Sequence, residues 1–273
     1  MKKVNFMKIN LIIQMIILAL GQKSEVDMWT LKNLSHNQRI YVPLDNVDLE
    51  QSQRLTLMLK DLIGGVKIGK EFFTKFGPEG VTKIRNLGMP IFLDLKFHDI
   101  PNTVAGAIRS AISLEPRIVN VHALGGRDML LASRDAIDNE INKLGCKPPL
   151  LFGVTVLTSM DNSDLLETGI PGSVLEQVKR LTLLCVESGL DGVVCSANEI
   201  ETVREVGGPN FKIITPGIRP AWFERGDQKR IVTPGEAIKR GGDFLVIGRP
   251  ITQSKDPADS LRRIISEIEG ELG

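Results

Sequence analysis

The feature that most constrains the fold is a repeated alternation of short apolar segments with longer amphipathic ones, which begins at Arg39 and continues to the C-terminus. The short segments are rich in β-branched residues and predict strands over residues 40–44, 65–68, 91–95, 118–122, 150–156, 192–195, 212–215 and 244–247. The amphipathic segments predict helices over residues 49–62, 80–87, 103–113, 127–144, 173–188, 197–206, 234–240 and 257–269. Strands that alternate with helices pair in parallel, so the sequence predicts an α/β fold.

The number of strand–helix units favours a closed barrel. Eight units match a single (β/α)8 TIM barrel, which typically needs about 250 residues. A doubly wound open sheet is the alternative, but such a sheet often carries a glycine-rich dinucleotide-binding turn after its first strand, and none follows Leu44. No linker rich in Pro, Ser or Gly interrupts the chain after Arg39, so we predict one domain over residues 37–273.

The N-terminal segment differs from the rest of the chain. Lys2, Lys3 and Lys8 accompany an apolar run over residues 9–20, a pattern that resembles a signal peptide. The run is too short to span a bilayer comfortably. We interpret residues 1–36 as an extension outside the fold, with Met28 as a candidate for the true translation start.

Composition excludes several classes of protein. The 273 residues include 34 Lys and Arg against 33 Asp and Glu, and this balance argues against a dedicated nucleic-acid-binding protein. Cys146, Cys185 and Cys195 have no C-x-x-C spacing, so they predict neither a zinc site nor a disulfide framework. His98 and His122 lack the partners that a metal site needs. We therefore expect a cytoplasmic protein without a bound metal.

Charged residues cluster around the end of the third predicted strand, where such barrels carry their chemistry. Asp94 and Lys96 lie two residues apart, so both side chains are expected on the barrel interior, and Asp99 follows in the loop. Lys67, near the end of the neighbouring strand, can reach the same space. A structural salt-bridge network is the alternative interpretation. Burying four charges costs free energy, however, and functional sites are where proteins tolerate that cost.

Two further loops predict a phosphate site. Residues 215–219 read Thr-Pro-Gly-Ile-Arg and residues 247–249 read Ile-Gly-Arg, after the seventh and eighth strands. Loops at these positions form the recurrent phosphate site of this fold. Glycine lets backbone N–H groups approach an anion, and arginine can form two parallel hydrogen bonds with phosphate oxygens. Solvated arginines in surface turns are the alternative, but two such loops at the expected strand ends favour phosphate binding.

These motifs together resemble the orotidine 5'-phosphate decarboxylase family. The segment Asp94-Leu-Lys-Phe-His-Asp-Ile-Pro-Asn-Thr103 is similar to the family signature, and the other matching segments are 66–69, 157–159, 215–219, 226–228 and 247–249. The match runs from about Ile40 to the C-terminus. The resemblance implies decarboxylation of orotidine 5'-monophosphate to uridine 5'-monophosphate and CO2, the last step of UMP biosynthesis, without metal or organic cofactor.

The resemblance also implies roles for individual residues. Lys96 would protonate C6 of the pyrimidine, and Asp94 would lie beside the substrate carboxylate. Asp45 and Lys67 would contact the ribose, and Asp99, together with Thr103, would reach into the partner's site in a homodimer. The remaining expected substrate contacts are Ile100 and Pro101 in the signature, Thr158 and Ser159 at the base, and Arg219, Gln228, Gly248 and Arg249 at the phosphate.

Two other functions remain open at this point. A sugar-phosphate enzyme such as 3-keto-gulonate 6-phosphate decarboxylase resembles the same Asp-x-Lys-x-x-Asp pattern but uses magnesium, and it would place an acidic ligand where Lys67 stands. A non-catalytic phosphate-binding barrel, or a scaffold tethered to a membrane by residues 1–21, is the second alternative. A scaffold has no need of four clustered charges, so we expect a small-molecule substrate and neither a nucleic-acid nor a membrane partner.

Overall fold

Eight parallel strands close into a barrel in their order along the chain, so each strand pairs with the next and β8 pairs with β1. The computed structural model describes residues 34–45, 48–145, 147–223 and 232–272. The strands are β1 Ile40–Pro43, β2 Gly65–Gly69, β3 Ile91–Phe97, β4 Ile118–His122, β5 Leu150–Val154, β6 Gly192–Val194, β7 Lys212–Pro216 and β8 Phe244–Val246. The predicted (β/α)8 barrel is confirmed.

Helices connect successive strands and surround the barrel. They are α1 Leu49–Leu59, α2 Lys70–Arg85, α3 Pro101–Ile112, α4 Arg127–Leu144, α5 Asn162–Glu167, α6 Val174–Glu187, α7 Ile200–Gly207, α8 Pro234–Lys239, α9 Arg249–Thr252 and α10 Pro257–Leu272. Helix α2 begins ten residues before the predicted start at residue 80, because Gly77 (φ 59°) and Pro78 kink it and divide its apolar pattern. The short helices α5 and α9 were not predicted.

The barrel interior is filled by an aromatic layer beneath its mouth. The Tyr41 ring meets Phe92 edge to face at 6.3 Å and Phe244 at 5.7 Å between ring centroids. Gly65 on the intervening strand makes room for this layer, since an added Cβ would lie 2.5 Å from Cε1 of Tyr41. Asp94 follows Phe92 by two residues on β3, so the next interior position toward the mouth carries a charge.

The N-terminal prediction concerns residues that are largely outside the described part of the chain. The described residues begin at 34, and a short 3₁₀ turn over Asn37–Arg39 leads into β1. The assignment of residues 1–36 as an extension outside the fold therefore stays a prediction. Within the described ranges, no helix is both long enough and apolar enough to cross a bilayer.

Candidate active site

An alternating row of carboxylates and ammonium groups lies at the carboxyl ends of β1, β2 and β3. The Lys67 Nζ atom is 3.3 Å from Oδ2 of Asp45 and 3.3 Å from Oδ2 of Asp94. The Lys96 Nζ atom is 2.5 Å from Oδ1 of Asp94. The structure thus brings Lys67, Asp94 and Lys96 together as the sequence predicts, and Asp45 is the fourth member. These four residues, Asp45, Lys67, Asp94 and Lys96, are called the charged row below.

Asp94 is the centre of this row and is held as a carboxylate. Its side chain is buried, and burial by itself raises the pKa of a carboxyl group. The positive charges of Lys67 and Lys96, together with hydrogen bonds from Lys96 and Asn120, outweigh burial and bring the pKa of Asp94 below its usual value. The ionised Asp94 carboxylate therefore faces an ammonium group on each side.

The Lys96 backbone leaves regular strand geometry. Its φ of 52° lies in the left-handed region, and the register between β3 and β4 shifts between Leu93 and Phe97. Left-handed backbone costs a non-glycine residue about 1–2 kcal/mol. The contact between Asp94 and Lys96 therefore depends on a local bulge as well as on the strand alternation from which it was predicted.

Asn120 on β4 is a site residue that the sequence analysis missed. Its side chain is fully buried, its Nδ2 donates to Oδ1 of Asp94 at 2.7 Å, and its Oδ1 accepts from the Lys96 backbone N–H at 2.8 Å. A signal was available in the sequence. Asn120 is a polar residue inside an otherwise apolar strand, two residues before His122 and on the same face.

Two histidines lie next to the charged row. The rings of His98 and His122 are 5.4 Å apart between centroids. Burial, followed by the positive influence of His98, Lys70 and Lys96, lowers the pKa of His122 to about 4. His122 is therefore a neutral imidazole near pH 7. Among the described residues, no group of three or more His, Cys, Asp or Glu side chains could hold a metal ion.

The rest of the signature motif lies at the start of α3 and is exposed. The Asp99 carboxylate accepts the backbone N–H of Ile100 at 2.6 Å, and it forms no ion pair with any residue in the described ranges. Ile100 is 66% exposed, and Pro101 and Thr103 are exposed as well. The structure thus does not add Asp99 to the charged row of its own chain.

The predicted phosphate and base contacts follow β5, β7 and β8. Arg219 is buried, its Nη1 donates to the carbonyl of Ile218 at 3.1 Å, and its guanidinium lies 5.9 Å from the centre of the Phe223 ring.

The other predicted contacts are more exposed than Arg219. Gly248 and Arg249 are half-buried at the start of α9, and Thr158 and Ser159 form an exposed turn after β5. Gln228 lies outside the described residues. Since all strands are parallel, these loops share the barrel mouth with the charged row.

Comparison with known proteins points to one family. Residues 38–264 match the orotidine 5'-phosphate decarboxylase / HUMPS family. The chain is 51% identical over 232 residues to the orotidine 5'-phosphate decarboxylase of Rhodospirillum rubrum, covering 85% of this chain and 94% of that protein. It is 49% identical over 232 residues to the enzyme of the same name from Moorella thermoacetica, covering 85% and 92% of the two chains.

A solved structure supports the same assignment. The crystal structure of orotidine 5'-phosphate decarboxylase from Lactobacillus acidophilus matches with a TM-score of 0.73 and 36% identity, covering 84% of this chain and 98% of that chain. These likenesses confirm the family and enzyme class that the sequence motifs predict. The chain belongs to the orotidine 5'-phosphate decarboxylase / HUMPS family.

Proposed function

We propose that the protein decarboxylates orotidine 5'-monophosphate to uridine 5'-monophosphate and CO2, as a cytoplasmic homodimer without metal or organic cofactor. The observation that carries the proposal is the row Asp45–Lys67–Asp94–Lys96 at the mouth of a barrel of this family. The free thiols of Cys185 and Cys195 suit a reducing compartment.

Lys96 supplies the proton that the reaction needs. When the bond between C6 and the carboxyl carbon breaks, CO2 leaves and the electron pair stays on C6. The Lys96 ammonium stabilises this negative charge as it forms and then transfers a proton to C6, which completes the product. The neutral amine regains its proton from water. The Asp94 carboxylate, 2.5 Å from the Lys96 Nζ, holds the ammonium group in place before the reaction.

Asp94 acts on the substrate carboxylate, and other residues hold the ribose, the base and the phosphate. The Asp94 carboxylate faces the substrate carboxylate, and their repulsion raises the energy of the ground state relative to a transition state in which the charge has moved to C6. Asp45 and Lys67 hold the ribose, Thr158 and Ser159 meet the base, and Gln228, Arg219, Gly248 and Arg249 hold the phosphate. Because the phosphate is remote from the reacting bond, its binding energy offsets the cost of the strained complex.

A magnesium-dependent sugar-phosphate enzyme is the alternative within the wider family. The residues present do not fit a divalent cation, because the Lys67 ammonium lies between the carboxylates of Asp45 and Asp94, and Lys96 takes the remaining oxygen of Asp94. A metal ion would have to displace one ammonium group and tolerate the other. The proposed reaction therefore has no metal-dependent step.

The test is the loss of orotidine 5'-monophosphate absorbance in the presence of purified full-length protein, with uridine 5'-monophosphate identified by chromatography. We expect turnover that excess EDTA leaves unchanged. Failure to consume the substrate would overturn the proposal. Activity that disappears in EDTA and returns with Mg²⁺ would instead support the magnesium-dependent alternative.

Arg249→Ala is expected to weaken binding of the substrate phosphate group. Hydrogen bonds to a charged group contribute about 1.5–3 kcal/mol each, so the loss of a two-pronged contact lowers kcat/KM by about 100-fold or more. Uridine 5'-monophosphate binding, measured by calorimetry, should weaken in parallel. Arg262→Ala, a change of an exposed arginine on α10, is the matched control. Unaltered binding of the nucleotide by Arg249→Ala would contradict the phosphate assignment.

Gly69→Ala is expected to disturb the charged row without unfolding the barrel. Gly69 ends β2, and an added Cβ would lie 2.8 Å from both Oδ1 of Asp45 and Nζ of Lys67. These are the far ends of flexible side chains, so the ion pair moves rather than the backbone. A misplacement of about 1 Å can cost about 100-fold in rate, and we expect a fall in kcat/KM of that order.

The control for this change is Gly270→Ala, since an added Cβ at Gly270 meets nothing within 4 Å. Thermal unfolding of both variants should stay within a few degrees of the wild type. If Gly69→Ala keeps full turnover, the Asp45–Lys67 pair does not need its observed geometry.

A further inference from the structure

Asn120 contacts two members of the charged row, Asp94 and Lys96. Its Nδ2 donates to the same Asp94 oxygen that accepts from Lys96 Nζ, and its Oδ1 accepts the backbone N–H of Lys96. Its side chain has no exposure to solvent. A fully buried polar side chain is retained where its hydrogen bonds are made, and here both ends of the amide are used on the site.

The chemistry of the contact suits an amide. One end must donate to a carboxylate and the other must accept from a backbone N–H, and a neutral amide does both. An aspartate at position 120 could accept from Lys96 but would place a second carboxylate against Asp94. A leucine, which is similar in size, could make neither hydrogen bond.

The backbone of Lys96 explains why such a contact is needed. The pairing of β3 with β4 shifts between Leu93 and Phe97, and within this interval Lys96 adopts a φ of 52°. The Asn120 side chain replaces the strand partner of the Lys96 N–H at this bulge. The direction in which the Lys96 side chain leaves the strand therefore depends on Asn120.

We propose that Asn120 is a positioning residue for the decarboxylation, which orients the Asp94 carboxylate and fixes the left-handed backbone from which Lys96 reaches C6. This inference rests on the proposed function. It predicts that loss of the amide slows the chemical step while substrate binding changes little, because Asn120 acts through Asp94 and Lys96 rather than on the substrate.

The first arm of the test does not depend on activity. Amide hydrogen exchange of Lys96 is compared in the wild type, Asn120→Leu and Asn120→Asp. We expect the Lys96 amide to exchange at least tenfold faster in Asn120→Leu and to stay protected in Asn120→Asp, which keeps the acceptor. Thr155→Val is the matched control, since the buried Thr155 hydroxyl donates to the Val194 carbonyl at 3.1 Å.

The second arm measures kinetics on orotidine 5'-monophosphate. Asn120→Leu should lower kcat by about 100-fold, the order expected from a small misplacement of reacting groups, with KM and uridine 5'-monophosphate binding within a few-fold of wild type. Asn120→Asp should move the acid limb of the kcat/KM profile to higher pH, because a second carboxylate beside Asp94 retains a proton. The charged and titratable groups around this pair are Asp45, Lys67, Lys70, Lys96, His98 and His122, and all are the same in both proteins.

Several outcomes would overturn the proposal. Wild-type protection of the Lys96 amide in Asn120→Leu would show that Asn120 does not hold this backbone. An equal loss of kcat in Thr155→Val would mean that any lost buried hydrogen bond slows the enzyme. If the wild type does not consume orotidine 5'-monophosphate, the proposed function fails, while the exchange arm still decides whether Asn120 fixes Lys96. If Asn120→Leu does not fold, Asn120→Asp supplies the pH profile, and an unshifted acid limb would overturn the proposal.

Discussion

Lys96→Ala is expected to lower kcat/KM by about 10⁴-fold to 10⁷-fold. A positioned proton donor contributes about 10²–10⁴ in rate, and one group that stabilises developing charge contributes about 10²–10³. Lys96 is proposed to do both, and we do not expect the neighbouring Lys67 ammonium to replace it, since Lys67 is held between Asp45 and Asp94. Steady-state kinetics on orotidine 5'-monophosphate measures the loss.

The control for this change is Lys83→Ala. Lys83 is exposed on α2 and pairs with Glu79 at 2.9 Å. The control variant therefore also loses a lysine–carboxylate ion pair, but at the surface. Such a pair contributes little to stability, and turnover should be unaffected. Lys96→Ala should still bind uridine 5'-monophosphate within about tenfold of wild type, because the phosphate contacts remain. Residual activity within a hundredfold of wild type would assign the proton to another donor.

The barrel could be predicted because each strand and helix shows its own hydrophobic periodicity within a short stretch of sequence. β4 and α4 occur over the predicted residues, since a β-branched run and a long amphipathic run each carry their own period. The start of α2 could not be predicted, because Gly77 and Pro78 interrupt the pattern that marks the helix. The local sequence pattern therefore predicts the order of the strands and helices more accurately than it predicts the residues at which they begin and end.

The site was predictable where its residues share one strand and less so where they meet across strands. Asp94 and Lys96 lie on β3, and strand alternation predicts that both face the barrel interior, although their contact also depends on the bulge. Asn120 meets them only through the register between β3 and β4, and that register is broken at the bulge. A lysine at φ 52° also contradicts backbone preference, so no propensity argument finds it. The two contacts of Asn120, which form where the backbone is irregular, are those that sequence reasoning missed.

The second large effect concerns the proposal that each active site is shared between two chains. Asp99 joins no ion pair in the described part of its own chain, although the signature motif places it three residues after Lys96. Ile100 beside it is 66% exposed, and Leu124, which follows the neighbouring strand β4, is 44% exposed. Exposed apolar side chains on adjacent loops suit coverage by a second copy, which would bring Asp99 to the partner's site.

Mixing two inactive variants is therefore expected to restore activity. Lys96→Ala and Asp99→Asn each disable both sites of their own homodimer. In a mixed dimer, one site combines an intact Lys96 with an intact Asp99 from the other chain, and the second site lacks both. Random exchange in a two-fold dimer makes half the dimers mixed, so activity should rise to about a quarter of the wild-type value. The measurement is turnover after dissociation and reassociation of equal amounts of the two proteins.

The control mixes Lys96→Ala with Asp94→Asn, two changes that fall in the same row of one chain. Asp94 and Lys96 contact each other at 2.5 Å, so every site in that mixture lacks one of the two and activity should stay at the level of the separate variants. Subunit exchange is followed by native mass spectrometry with one variant carrying an affinity tag. If mixed dimers of Lys96→Ala and Asp99→Asn form and turnover does not rise, Asp99 serves its own chain. The exposed start of α3 would then need another explanation, because a carboxylate that acts on its own Lys96 would have to turn inward from a segment that the structure places at the surface.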